Sequence, residues 1–149
     1  MHLTGVAETF TPTLPCLCAS FRRASRALTS LYDEALRPVE LRATQFTVLQ
    51  ALSIAGEVTQ GALGRMLAMD STTLTRTLGI MVRHRWIARR PGEDRREWRI
   101  QLSKAGETLL NRALPYWNSL QTQLRTQLGN EVWENLLKLT DTVTNAVTE

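Results

Sequence analysis

Guanidinium groups are the densest chemistry in this chain. Residues 83–99 hold seven arginines (Arg83, Arg85, Arg89, Arg90, Arg95, Arg96 and Arg99) against three acids, Glu93, Asp94 and Glu97. The net of +4 in that segment equals the net of the whole chain, 18 basic against 14 acidic residues, so the other 132 residues carry eleven of each sign. Arginine presents a planar fork of donors that matches phosphate oxygens and the guanine edge. A single segment holding the whole charge excess is the pattern of a phosphate-binding surface. Most charge runs are only a solvated face, so the elements around this one must decide between the two. The second reactive set is a pair of thiols, Cys16 and Cys18. The only histidines are His2 and His84, too few for a histidine-rich metal or catalytic site. There is no Gly-rich phosphate loop, no Gly-x-Ser-x-Gly and no carboxylate pair at a useful spacing. No cofactor, no metal and no enzymatic activity are expected.

The elements behind the arginines are legible from their caps and periods. Thr59 is placed to cap a short helix with Leu63, Met66 and Leu67 turned inward. Met69, Asp70 and Ser71 form a turn, and Asp70 or Ser71 caps a second helix from Thr72 to about His84. Its buried stripe is Leu74, Leu78, Met81 and Val82, and its outer face holds Thr72, Thr73, Arg76, Thr77, Ile80 and Arg83. Strands follow at Ile87–Pro91 and Trp98–Leu102. In the second, Trp98, Ile100 and Leu102 alternate with Arg99 and Gln101, the period of a half-buried strand. Arg95 and Arg96 fall at the hairpin tip. Two short helices and a basic hairpin make a winged helix-turn-helix, which sets one helix in the major groove of DNA and a ribbon beside it. An arginine at a ribbon tip suits a narrow minor groove, where negative potential is enhanced.

The flanks are helical. Pro15 suits a first helical turn, and Leu17, Phe21, Ala24, Leu28, Leu31 and Ala35 recur at helical spacing until Pro38 stops the run. A further helix spans Leu41–Ile54, with Phe46, Leu49 and Leu52 inward and Gly56 past its end. Ser103 caps a long helix through Leu109, Leu110, Leu114, Trp117, Leu120, Leu124 and Leu128, which Pro115 should kink. Gly129 breaks it, and Glu131 to about Val147 forms a last helix with Val132, Leu136, Leu139 and Val143 in one stripe. So much apolar surface at the two ends of a chain of 149 residues predicts a helical dimer interface. The predicted architecture is mainly α with a small β-wing. Residues 1–15 form a flexible N-terminal arm, 16–38 and 104–149 a helical dimerisation region, and 39–103 a winged helix-turn-helix DNA-binding domain. No apolar run is long enough to span a bilayer and the first 15 residues lack a signal core, so a cytoplasmic protein without a membrane partner is expected.

Taken together, these residues resemble the MarR family, the multiple antibiotic resistance regulators. The resemblance is carried by Leu41-Arg42-Ala43-Thr44-Gln45-Phe46, by Ser71-Thr72-Thr73-Leu74-Thr75-Arg76, and most specifically by Asp94-Arg95-Arg96 followed by Leu102-Ser103. It covers about residues 16–147. It implies a homodimeric DNA-binding transcriptional regulator, a repressor by habit of the family, bound to an inverted-repeat operator in double-stranded DNA. It also implies release by a small phenolic ligand or by cysteine oxidation. By the resemblance, Thr72, Thr73, Thr75 and Arg76 meet the major groove, Arg96 enters the minor groove, and Asp94 holds Arg96 by an ion pair, with Arg95 beside them at the tip. Tyr32, Phe46, Trp86 and Trp117 are aromatic candidates for a ligand pocket, but each is better explained as plain core.

Cys16 and Cys18 fall at the start of the first helix, where unpaired N–H groups and the helix dipole favour a thiolate. Arg22 lies one turn beyond Cys18. In position, and in its spacing to Tyr32, Cys18 resembles the reactive cysteine of the family's hydroperoxide-sensing branch. The chain departs from that branch in having only Tyr32 and Tyr116, with Arg22 where a tyrosine is expected. Three alternatives stand beside redox sensing: a thiol-dependent peroxide- or metal-responsive protein acting through Cys16 and Cys18, a small buried residue at a helix interface, and an adaptor whose wing binds acidic proteins.

Overall fold

The structure, a computed structural model, describes residues 14–148. The elements run α1 (Leu17–Leu36), a 3₁₀ turn (Arg37–Val39), α2 (Ala43–Ala55), β1 (Val58–Thr59), α3 (Gln60–Leu67), α4 (Ser71–Arg83), β2 (Ile87–Pro91), β3 (Trp98–Leu102), α5 (Lys104–Leu128) and α6 (Asn130–Val147). The predicted winged helix-turn-helix, mainly α with a small β-wing, is the observed fold. The proposed arm, 1–15, lies almost wholly outside the described residues.

Helix α2 is the hub. Its apolar residues point to several sides, and Phe46, Val48, Leu49, Ala51 and Leu52 are all buried. A helix apolar around most of its circumference must be surrounded. Leu63 of α3, Leu74, Leu78 and Met81 of α4, Ile87 and Ile100 of the wing, and Leu109, Leu110 and Ala113 of α5 complete one core with it. Each such side chain contributes about 1.5–3 kcal/mol on leaving water. The N-terminus of α2 is held from α1. Asp33 accepts from the Ala43 amide at 2.7 Å and from Arg42 Nη1 at 3.3 Å. A carboxylate at that end also meets the positive pole of the helix.

The wing is a three-stranded antiparallel sheet in the order β1-β3-β2. β1 was not anticipated. Its two residues pair with the return strand, Val58 with Ile100 and Thr59 with Arg99. Two expected burials also fail. Met66 is 51% exposed, because the eight residues of α3 present a single narrow inner stripe occupied by Leu63. Trp98 is 40% exposed, at the outer end of β3, and the Arg89 guanidinium lies 4.3 Å from its ring centre. That cation–π contact covers the ring in place of the core.

The wing base is fused to α5. Ser103 Oγ donates to the Arg85 carbonyl at 2.6 Å and accepts from the Gly106 amide at 3.0 Å. A Cβ on Gly106 would lie 2.0 Å from the Trp86 carbonyl oxygen, so only glycine allows this approach. From there α5 continues through Pro115 to Leu128, and Gly129, at φ 83°, turns the chain into α6. Helix α6 packs against α5 yet buries none of its own residues. Most of the apolar stripe of α1 is likewise uncovered at Leu17, Phe21, Leu28 and Leu31.

Candidate nucleic-acid interface

The face in question is built by two caps. Thr59 Oγ1 accepts from the Ala62 amide at 3.1 Å and starts α3. Asp70 accepts from the Thr73 amide at 3.2 and 3.3 Å and starts α4. Between them Ala68, at φ 49°, makes the tight turn, and the Met69 amide donates to the Gly64 carbonyl at 3.0 Å. A left-handed residue just past a helix end satisfies its last carbonyls in this way. The result exposes the first turns of α4, with Thr72, Thr73, Thr75 and Arg76 all open to solvent. Thr77 and Ile80, expected on the outer face, are half-buried.

The four exposed α4 residues are not equivalent. Thr73 donates its hydroxyl to Asp70 Oδ2 at 2.7 Å, so it is part of the cap. Thr75 Oγ1 accepts from Gln60 Nε2 at 3.0 Å, which ties it to the start of α3. Thr72 and Arg76 have no side-chain hydrogen-bond partner among the described residues.

At the wing tip, Arg95 and Arg96 are exposed. Asp94 Oδ1 accepts from the Arg96 backbone amide at 3.0 Å. The expected Asp94–Arg96 ion pair is not among those of the described residues; the carboxylate instead shapes the turn by an i to i+2 contact with the backbone. A cleft of about 930 Å³ separates the wing from α3 and the α3–α4 turn, with Gln60, Arg65, Ser71, Arg96 and Trp98 in its walls.

The arginine run divides in two. Glu57, just before β1, accepts from Arg90 Nε and Nη2 at 3.1 and 2.5 Å and from Arg99 Nε at 2.7 Å. Arg89 is occupied by Trp98. Among the described residues Arg65, Arg76, Arg83, Arg85, Arg95 and Arg96 make no ion pair. Sequence reasoning counted seven arginines as one surface. Three of the seven brace the wing, while Arg65 and Arg76, outside the run, join the unpaired set.

The hydrogen bonds from Arg90 and Arg99 hold the Glu57 carboxyl down at about 2, against an ordinary 4.5. A depressed carboxyl contributes stability that is complete above the unfolded value and is lost as pH falls toward the folded one. Thermal melts of the wild type and Glu57→Gln should therefore differ by a constant amount above about pH 5 and converge on acidification from 4.5 toward 2. A gap that persists undiminished at the acid end would show that Glu57 acts otherwise.

Cys16 is the N-cap of α1 and Cys18 lies in its first turn, both exposed and unbridged. Among the described residues no group of three or more His, Cys, Asp or Glu converges. Of the aromatic candidates, Phe46 stacks on Trp117 with ring centres 5.8 Å apart, and Trp86 stacks on His84 at 4.4 Å. Tyr32 donates to Gln121 of α5, and burial raises its phenol above the ordinary value.

The geometry has counterparts among known proteins. Residues 39–97 match the model of the MarR family. The HTH-type transcriptional regulator YwoH of Bacillus subtilis is 32% identical over 91 residues, 61% of this chain and 66% of that protein. The multiple antibiotic resistance protein MarR of Escherichia coli is 32% identical over 80 residues, 53% of this chain and 56% of that one. The chain thus spans about two thirds or less of the curated relatives it matches. Solved structures align over more of it. The M. tuberculosis transcriptional regulator MosR in complex with DNA gives a TM-score of 0.77 at 33% identity, covering 89% of this chain and 98% of that one. A mutant E. coli MarR complexed with operator DNA gives 0.75 at 26% identity, covering 85% and 92%.

Proposed function

The chain belongs to the MarR family, and on that premise we propose that it is a homodimeric transcriptional repressor of the cytoplasm that binds an inverted-repeat operator through α4 and the wing. The observation that carries the reading is the set of unpaired arginines beside the exposed start of α4. Arg76 on that helix and Arg95 and Arg96 at the wing tip flank hydroxyls at Thr72, Thr73 and Thr75. Cations left free of acidic partners are what a polyphosphate surface requires. Asp94 contributes by shaping the tip through the Arg96 amide.

Residues 39–103 act as the DNA-binding domain in this reading, and residues 16–38 with 104–149 as the dimerisation region. The exposed apolar stripes of α1 and α6 support that division. Two symmetric recognition helices then enter successive major grooves, about one helical turn apart. The releasing signal is a small phenolic ligand or oxidation of Cys16 or Cys18. A hydroperoxide would convert an exposed cysteine to a sulfenic acid and itself be reduced to the alcohol. Both thiols stand at the start of a helix assigned to the dimer, where such a change can bear on subunit pairing.

The test is a titration of the purified protein against a fluorescent duplex from its own upstream region at several salt concentrations. It is run reduced, after stoichiometric hydroperoxide, and with a phenolic carboxylate. Binding that weakens steeply with salt, with a log–log slope of about −5 or steeper for six or more phosphate contacts, and that is lost in one of the two treated samples supports the whole reading. Binding unaltered by either treatment removes the release mechanism. No preference for that duplex, nor for any sequence drawn from a random pool, removes the regulator.

A further inference from the structure

We propose that Gln60 sets the hydrogen-bonding polarity of Thr75 and thereby the base that α4 prefers. The pair presents a hydroxyl donor to an acceptor on the major-groove edge of a base. The inference rests on the reading of α4 as the recognition helix and adds to it a specificity-determining residue on α3.

A threonine hydroxyl has one hydrogen to donate and two lone pairs to accept with. Helical threonines commonly spend the hydrogen on the carbonyl one turn earlier. Thr47, Thr108 and Thr140 all do so in this chain, donating to Ala43, Lys104 and Leu136. Thr75 differs. Its Oγ1 accepts from Gln60 Nε2 at 3.0 Å, and among the described residues no carbonyl takes its hydrogen. With a lone pair engaged on the α3 side, the O–H is free to donate outward.

Gln60 is well placed to hold that arrangement. It is the first residue of α3, directly after Thr59, whose side chain caps the helix and whose backbone pairs with Arg99 of the wing sheet. The amide is thus anchored to the framework and not to α4 itself. Thr75, fifth residue of α4 and exposed, lies in the N-terminal part of the helix, where base edges are met. The acceptors available there are N7 of either purine, O6 of guanine and O4 of thymine. Thr73 is polarised the other way. It gives its hydrogen to Asp70, so toward solvent it offers lone pairs only and suits an amino group of adenine or cytosine.

The experiment uses the full chain and a duplex enriched from a random-sequence pool by the wild-type protein. Affinities are measured for wild type, Gln60→Met, Thr75→Val, Thr75→Ser and the Gln60→Met/Thr75→Val double variant, each checked for an unchanged melting temperature. Gln60→Met and Thr75→Val should each weaken binding about ten- to a hundredfold, the worth of one net hydrogen bond in each of two subunits, and the double variant no more than either alone. Thr75→Ser, which keeps the hydroxyl, should stay within about twofold of wild type. Base analogues lacking one major-groove acceptor at a time, 7-deazapurines first, should locate a position that costs wild type the same factor and costs Thr75→Val nothing. Additive losses, or equal losses on a scrambled duplex, overturn the inference. So does sensitivity to a neutral methylphosphonate link in place of a base analogue, since the acceptor is then a phosphate. Failure of the wild type to enrich any sequence is a different result: it overturns the DNA-binding reading itself, and the inference falls with it.

Discussion

Replacing Leu136 by Glu is expected to raise the dimer dissociation constant about a thousandfold, roughly 4 kcal/mol for two sites that each lose a buried leucine and gain a carboxylate. The expectation follows from what α6 leaves uncovered. Its stripe of Val132, Leu136 and Leu139 is 47%, 44% and 58% exposed, and no residue of the helix is buried. Monomeric proteins rarely leave so continuous an apolar surface in water. A two-fold dimer uses the same patch on both subunits, so a single substitution is felt twice. Sedimentation velocity at micromolar concentration should show the variant as monomers with its helical content intact, and operator binding should fall in parallel. A variant that sediments as a dimer at the same concentrations would place the interface away from α6.

The second large effect is expected at the wing tip. Arg96→Ala should weaken operator binding roughly thirty- to a thousandfold, taking about 1–2 kcal/mol for each of two guanidinium groups in a dimer. Arg96 is exposed and has no acidic partner, so its removal leaves no charge stranded. The backbone at the tip keeps its shape, because Asp94 grips the Arg96 amide and not its side chain. The melting temperature should therefore be unaltered while affinity falls. Fluorescence anisotropy on a fixed duplex would measure this, and affinity within a factor of two of wild type would remove Arg96 from the interface.

Much of this architecture could be read locally. The caps at Thr59, Asp70 and Ser103, and the stops at Gly56 and Gly129, are signals that act within a turn of chain, and all appear where the sequence places them. The arginine run and the two strands of the hairpin were legible for the same reason. What was not legible depends on distance along the chain. Glu57 is 33 residues from Arg90 and 42 from Arg99, so nothing in its neighbourhood marks it as their partner. β1 is two residues long, too short for any period to show. The link between Gln60 and Thr75 spans a turn whose geometry comes from Ala68 in a conformation that alanine seldom adopts. Alternation alone points Trp98 inward. The strand's outer end lies beyond the core, and a neighbouring arginine covers it there.

The smallest element has the widest reach. β1 belongs to the wing sheet, yet its second residue is also the cap of α3. Glu57 immediately before it clasps the other two strands, β2 through Arg90 and β3 through Arg99, and the foot of the hairpin is locked onto α5 through Ser103 and Gly106. The ribbon and α3 thus share one set of fastenings, in which β1 is the common member. In a DNA-binding role they would form the two jaws of a caliper, braced at one hinge. A duplex whose groove width already fits is gripped at no cost, and one that must bend or narrow to fit is penalised by its own stiffness. In the proposed DNA-binding role, such a molecule would discriminate between sequences at positions that none of its side chains touch.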